Sequence, residues 1–117
     1  MKVINEALLK EIRERCRCEY CGKEVRTGLH PHHVKARGMG GGFRLDIWAN
    51  LLGVCPACHY AIHDGHISLE SVLAAVALRE GVTPDEIQHV IHCALYQRAS
   101  NERASDEQGS GPSASPP

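Results

Sequence analysis

A chain of 117 residues with one Trp, one Phe and three Tyr has room for one domain with a limited hydrophobic core. The net charge is −1 but uneven: residues 1–48 carry ten Lys/Arg against six Asp/Glu, whereas residues 49–117 carry three against eight. This balance argues against long basic tails that coat nucleic acid, and it leaves room for a basic groove in the N-terminal half. The sequence shows neither a signal-peptide pattern nor a long apolar run. We therefore expect a reduced, cytoplasmic protein with no membrane partner.

The N-terminal segment, residues 3–15, is predicted to form an amphipathic helix, for which Asn5 is a candidate N-cap. Apolar residues recur at spacings of three or four: Ile4, Ala7, Leu8 and Ile12. Basic residues accumulate towards the end of the segment: Lys10, Arg13, Arg15 and Arg17. They are interpreted either as a solvated face that the helix dipole favours or as a surface that contacts phosphates.

Four of the six cysteines form two Cys-x-x-C pairs: Cys18, Cys21, Cys55 and Cys58. Two intervening residues let the chain turn back so that both sulfurs of a pair face one ion, and four thiolates suit zinc. A single pair is also compatible with redox chemistry, but two pairs favour a structural Zn²⁺. Such an ion would supply folding energy that a small core cannot. Of the remaining cysteines, Cys93 is predicted to be a small core residue, and Cys16 is a weaker candidate ligand.

A doublet of histidines lies between the two cysteine pairs, in a short strand predicted over residues 29–34. Neighbouring side chains of a strand point to opposite faces, so His32 and His33 are expected to take different roles. One of them is expected to bind a metal ion, and the other to perform acid–base chemistry from a different side. His30 precedes a proline and is interpreted as a loop histidine, with a contact behind the metal ligands as the alternative.

A second histidine pair follows the second cysteine pair. A helix is predicted to begin with Pro56 at its first position and to end at Asp64 and Gly65. His59 and His63 are then i and i+4, so their rings lie on one face and can chelate one ion. The alternative is that the histidines are further zinc ligands or ordinary exposed side chains.

The segment from residue 35 to 45, KARGMGGGFRL, is predicted to be a loop, because four glycines in five residues forbid a regular element. Glycine-rich backbone approaches phosphates closely, and Lys35, Arg37 and Arg44 flank the run. The segment is interpreted as a clamp on a phosphodiester backbone. A plain flexible linker is the alternative.

The residues His33, Asn50 and His59, in this order along the chain, resemble the signature of HNH endonucleases. The cysteine pairs resemble those of the zinc-bearing HNH subgroup. The doublet together with His59-x-x-x-His63 is similar to the nuclease domains of the DNA-cleaving colicins. The resemblance covers residues 16–65. It implies an α+β fold: a small zinc-stabilised ββα-metal core, treble-clef-like, with flanking α-helices.

The resemblance also implies a metal-dependent endonuclease that hydrolyses double-stranded DNA. His33 would be the general base, Asn50 would hold the connecting loop, and His32, His59 and His63 would hold one divalent ion. Many HNH enzymes have a carboxylate where this chain has His32. Imidazoles suit transition metals better than magnesium, which leaves the identity of the ion open. The candidates are Mg²⁺, Mn²⁺, Ni²⁺ and Zn²⁺.

Residues 68–99 are predicted to form a helical hairpin that extends the core. Ser68 caps the first helix, Gly81 ends it, and Thr83 with Glu86 forms a capping box for the second. The positions predicted to be buried are Leu69, Val72, Leu73, Val76, Ile87, Val90, Ile91, Ala94 and Leu95.

The second helix of the hairpin is predicted to end near Ala99, and residues 100–117, polar and rich in Ser, Gly and Pro, to be a disordered tail. Residues 1–99 would then be one HNH nuclease domain. The alternative functions are a non-catalytic zinc-knuckle module that binds DNA or protein, and a degenerate HNH subunit of a larger complex. By analogy with small stand-alone HNH proteins, phage packaging or other DNA-processing proteins are expected partners. The oligomeric state is left open.

Overall fold

The computed structural model describes residues 2–35 and 44–106, with side chains described up to Tyr96. The strands are β1 (Lys2–Val3), β2 (His30–His33), β3 (Arg44–Leu45) and β4 (Leu51–Val54). The helices are α1 (Glu6–Arg13), α2 (Pro56–His63), α3 (Leu69–Glu80) and α4 (Pro84–Asp106), and one 3-10 turn covers Trp48–Asn50. Arg37 and the glycine run lie outside the described residues.

The first helix begins three residues later than predicted, because Lys2–Val3 forms a parallel ladder with Arg44–Leu45. The Asn5 side chain accepts a hydrogen bond from the backbone N–H of Leu8 at 3.0 Å, which confirms the predicted cap. The buried stripe of this helix consists of Leu8, Leu9 and Ile12. Ile4 and Ala7, which were expected on that stripe, are exposed.

Strands β2 and β4 pair antiparallel, with His32 opposite Leu52 and His33 opposite Leu51. Helix α2 follows β4 after a single residue, Cys55. The two strands and this helix form a ββα unit, and the four cysteines gather beside it. The predicted α+β class and the small ββα-metal core are confirmed.

The core lies where α1, β4 and the C-terminal hairpin meet, and all four residues of β4 are buried. Gly53 in β4 lies against Ile12 of α1 and against Leu29. A Cβ atom there would lie 2.9 Å from Ile12 Cγ2 and 3.0 Å from Leu29 Cδ1. A glycine at this position therefore lets the first helix pack directly on the strand that leads to α2.

Arg79 joins the hairpin to the ββα unit. Its guanidinium donates to Glu19 Oε1 at 2.8 Å, to the carbonyl of Leu51 at 2.8 Å and to that of Trp48 at 2.7 Å. Glu19 lies between Cys18 and Cys21 and also accepts from the backbone N–H of Gly53 at 2.8 Å. One partly buried arginine therefore fixes the hairpin against the first cysteine turn.

The hairpin has the predicted caps. The Ser68 side chain accepts from the N–H of Ser71, and Gly81 ends α3 in the left-handed region with φ 74°. The Thr83 N–H donates to Glu86 Oε1 at 2.9 Å, and the Glu86 N–H donates to Thr83 Oγ1 at 3.1 Å. The capping box is therefore confirmed.

Three positions of the hairpin that were predicted to be buried are exposed. Leu69, the first residue of α3, is 55% exposed, and Val90 is 46% exposed because it lies about 100° round the helix from the buried Ile91. Cys93 lies about 200° round from Ile91, so it is on the solvent side and is not a core residue.

Helix α4 continues to Asp106, beyond the end predicted near Ala99. Residues 107–117, the rest of the predicted tail, lie outside the described residues. Within the part of the chain that is described, no helix is both long and apolar enough to cross a bilayer.

Candidate active site

The four cysteines of the Cys-x-x-C pairs come together as predicted. The Sγ atoms of Cys18, Cys21, Cys55 and Cys58 all lie within 4.8 Å of one another, and those of Cys21 and Cys55 are 3.9 Å apart. A tetrahedral zinc ion with bonds of about 2.3 Å holds its sulfurs about 3.8 Å apart, so the cluster fits zinc.

Backbone N–H groups point at the sulfurs from within each turn. Those of Tyr20 and Cys21 lie 3.4 Å from Cys18 Sγ, and that of Cys58 lies 3.4 Å from Cys55 Sγ. Burial alone would raise the pKa of Cys18, but backbone hydrogen bonds, first among them that of Cys21, lower it to about 7. Burial and the three neighbouring sulfurs raise the pKa of Cys58. Four crowded thiols cannot all ionise alone, whereas a dication favours the thiolate form of each one.

The three histidines predicted to hold a second ion also form one cluster. Ligand nitrogens of His32, His59 and His63 lie within 4.8 Å of one another, and the Nε2 atoms of His59 and His63 are 3.1 Å apart. Helix α2 begins at Pro56, early enough for both of its histidines to face His32 on the neighbouring strand. Three imidazoles at these separations fit one divalent ion and leave coordination positions for other ligands.

Burial and mutual repulsion favour the neutral forms of His32 and His59. Burial, followed by the charges of His59, His63 and His33, lowers the pKa of His32 to about 4. Burial, followed by its histidine neighbours, also lowers the pKa of His59. Near pH 7 both rings therefore have the free lone pairs that a metal ligand needs.

His33 is directed away from this cluster towards a buried carboxylate. Its Nε2 atom lies 2.8 Å from Asp46 Oδ1, and the side chain of Asp46 has no exposed surface. Asp46 Oδ2 accepts from the N–H of Asn5 at 2.9 Å and from the guanidinium of Arg44 at 2.8 to 2.9 Å. Burial alone would raise the pKa of Asp46, but hydrogen bonds from Arg44, Asn5 and His33 outweigh it and lower that pKa. The carboxylate stays ionised and orients the His33 ring.

Sequence reasoning missed Asp46. Its sequence signal is an acidic residue within a largely apolar stretch, LDIWANLLGV. Buried acids are rare unless they are paired, so a charge in such a stretch indicates a specific partner. The identity of that partner is not visible in the sequence.

Asn50 is fully buried and connects the two ends of the glycine-rich segment. Its Oδ1 accepts from the N–H of Lys35 at 2.7 Å, and its Nδ2 donates to the carbonyl of Leu45 at 2.9 Å. The N–H of Val34, next to His33, donates to the Asn50 carbonyl at 2.8 Å. These contacts are the ones expected of a residue that holds the connecting loop beside His33.

The residues of the predicted phosphate clamp are placed differently from one another. Lys35 is exposed at the start of the segment, and Arg37 lies outside the described residues. Arg44 makes ion pairs with Asp46 at 2.8 Å and with Glu6 at 3.1 Å. The two carboxylates hold its guanidinium, so Arg44 contributes to the site through Asp46.

His30 contacts the histidine cluster, so the alternative of a contact behind the candidate metal ligands, and not the loop interpretation, agrees with the structure. It lies in β2 two residues before His32, and its Nδ1 is 3.1 Å from Nδ1 of His59. The sequence signal is the spacing HPHH, because residues i and i+2 of a strand share a face.

Residues 18–65 match the family model described as HNH endonuclease. The matched segment begins at the first cysteine of the cysteine cluster and ends at Gly65, just after α2, so it contains both candidate metal clusters. No curated protein and no solved structure matches the chain.

Proposed function

Because residues 18–65 match the family model described as HNH endonuclease, we propose that the protein is a metal-dependent endonuclease that hydrolyses the phosphodiester bonds of double-stranded DNA. The family supports a nuclease-type function in general. The observation that supports metal-dependent hydrolysis is the arrangement of the two neighbouring histidines of β2. His32 belongs to a metal-competent cluster, and His33 is held by a buried carboxylate.

His33 is proposed as the general base. Asp46 accepts the hydrogen of Nε2, so the lone pair of His33 is on Nδ1. This nitrogen takes a proton from the attacking water, and the nearby carboxylate stabilises the imidazolium that results. Arg44 and the N–H of Asn5 keep Asp46 ionised and fixed. Asn50 holds the loop that follows His33.

His32, His59 and His63 are proposed to hold one divalent ion. When bound, this ion supplies positive charge to the scissile phosphate and to the leaving 3′ oxygen. The donor set consists of imidazoles alone, which favours Mn²⁺, Ni²⁺ or Zn²⁺ over Mg²⁺. The cysteine cluster, on the other hand, is proposed to hold a structural Zn²⁺ that stabilises the fold.

DNA is proposed to bind along the side of the molecule that carries the doublet. Lys35 at the start of the glycine-rich segment and Arg37 within it are the proposed phosphate contacts, and Arg44 acts through Asp46. A cytoplasmic location and partners in phage packaging or other DNA processing stay predictions.

The test is cleavage of supercoiled plasmid in the presence of Mg²⁺, Mn²⁺, Ni²⁺ or Zn²⁺. Wild-type protein is compared with His33→Ala and with a matched control, His92→Ala, which removes an exposed histidine of α4. We expect nicked or linear plasmid from the wild type and the control, and none from His33→Ala. Cleavage by His33→Ala at the wild-type rate would refute the base assignment. Binding of DNA without cleavage under any metal would support the binding-module alternative instead.

A further inference from the structure

We propose that His30 is a positioning residue that fixes the ring of His59, so that Nε2 of His59 faces the metal ion. This inference rests on the proposed function, because it concerns a ligand of the same ion. It gives a role to a histidine that the catalytic scheme above does not use.

The two nitrogens of His59 have different neighbours. Its Nδ1 lies 3.1 Å from Nδ1 of His30, and its Nε2 lies 3.1 Å from Nε2 of His63. The His30 and His59 rings meet edge to face, with centroids 5.2 Å apart and planes at 86°. One nitrogen of His59 therefore points into the ligand cluster, while the other points at His30.

The backbone brings His30 to this place. His30 and His32 are i and i+2 in β2, so both side chains are on one face of the strand. Strand β4 pairs with β2 and leads directly into α2, which carries His59 and His63. The same strand face therefore presents one histidine to the ion and another to the back of His59.

The tautomers allow only one direction for this hydrogen bond when an ion is bound. A ligand nitrogen gives its lone pair to the ion, so a His59 bound through Nε2 carries its hydrogen on Nδ1. His30 Nδ1 accepts that hydrogen, and the ring hydrogen of His30 is on its Nε2. The opposite direction would place the hydrogen of neutral His59 on Nε2, where it would block coordination.

Fixing a ligand in this way affects affinity more than folding. A partner for the second nitrogen of a metal-bound histidine holds the ring orientation and raises the basicity of the ligand nitrogen. Loss of such a partner lowers metal affinity by about 10- to 100-fold. His30 is exposed, so its removal leaves no buried cavity.

The experiment measures Ni²⁺ binding by calorimetry, without DNA, to protein that carries one Zn²⁺ per chain, at the cysteine cluster. We expect His30→Ala to bind Ni²⁺ about 10- to 100-fold more weakly than the wild type. His30→Asp restores an acceptor and should recover most of that affinity. His66→Ala, an exposed histidine just beyond α2, is the matched control and should bind as the wild type does.

A second readout separates positioning from direct coordination. In ¹⁵N spectra of protein labelled at histidine and loaded with Zn²⁺ at the histidine cluster, His59 should be metal-bound at Nε2 and protonated at Nδ1. A metal-bound nitrogen on His30 itself would overturn the positioning role. Equal Ni²⁺ affinity of the wild type and His30→Ala would overturn this inference alone. A wild type that binds no Ni²⁺ would overturn the proposed ion site, and the role of His30 with it.

Discussion

The change Asp46→Asn tests the link between the buried carboxylate and His33. Asp46 accepts hydrogen bonds on both oxygens: Oδ1 from His33, and Oδ2 from Asn5 and Arg44. An amide has the same shape, but one of its two ends is a donor. It therefore cannot satisfy both sides of this buried position while His33 keeps its hydrogen on Nε2.

The two orientations of the amide fail in different ways. With its oxygen towards His33, its NH₂ group meets the N–H of Asn5 and the guanidinium of Arg44, which leaves buried donors unpaired at about 1–3 kcal/mol. With its oxygen towards Asn5 and Arg44, its NH₂ group meets Nε2 of His33 and forces the hydrogen of His33 onto Nδ1. Two sets of donors outweigh one, so we expect the second orientation.

The expected result is a folded protein with a misdirected base. Unfolding in denaturant should show a loss of about 1–3 kcal/mol, because a neutral amide replaces the charged acceptor of Arg44. Plasmid cleavage, measured well below the melting temperature, should fall by about 10²- to 10⁴-fold, because the lone pair of His33 faces the wrong way. The matched control is Glu6→Gln, the same change at the other partner of Arg44, whose side chain is 67% exposed. It should cost no more than about 1 kcal/mol and leave cleavage unchanged. Cleavage by folded Asp46→Asn within twofold of the wild type would refute the reasoning.

Three further predictions concern stability. Cys58→Ser should lose the structural zinc and lower the melting temperature, and a variant that keeps one zinc per chain and full thermal stability would contradict the structural role. Gly28 has φ +93°, and a Cβ there would collide with the carbonyl of Arg13, so Gly28→Ala should cost about 2 kcal/mol or more in a denaturant titration. Gly65→Ala, at φ +82° in open space, is its control and should cost about 1 kcal/mol. Equal losses in the two variants would contradict the predicted collision at Gly28. The pKa of Asp46 is lower in the folded state, so its contribution to stability is present above the unfolded pKa of about 3.9 and is lost as pH falls through the folded pKa. Stability measured against pH should therefore decline less steeply in acid for Asp46→Asn, and identical acid limbs would contradict this assignment.

The sequence predicted the local features of the fold well. The caps at Asn5, Ser68 and Gly81 depend on a few neighbouring residues, whose side chains or backbone freedom satisfy the ends of their own helix. The spacing of Cys55 and Cys58 and of His59 and His63 is also local, because one turn and one helix fix the geometry. Helix bounds were less accurate. Pairing of β1 with a distant strand shortened α1, which no pattern within residues 3–15 indicates.

The sequence by itself predicted which residues form the two candidate metal clusters, since their spacing within each turn, strand or helix leaves little choice. Only the tertiary structure decided which residues support them. Asp46 reaches His33 across 13 residues, His30 reaches His59 across 29, and Arg79 reaches Glu19 across 60. The physical reason is that each of these contacts joins two elements whose relative position is set by core packing around β4. A spacing rule describes one element at a time, whereas these partners exist only once several elements have packed together.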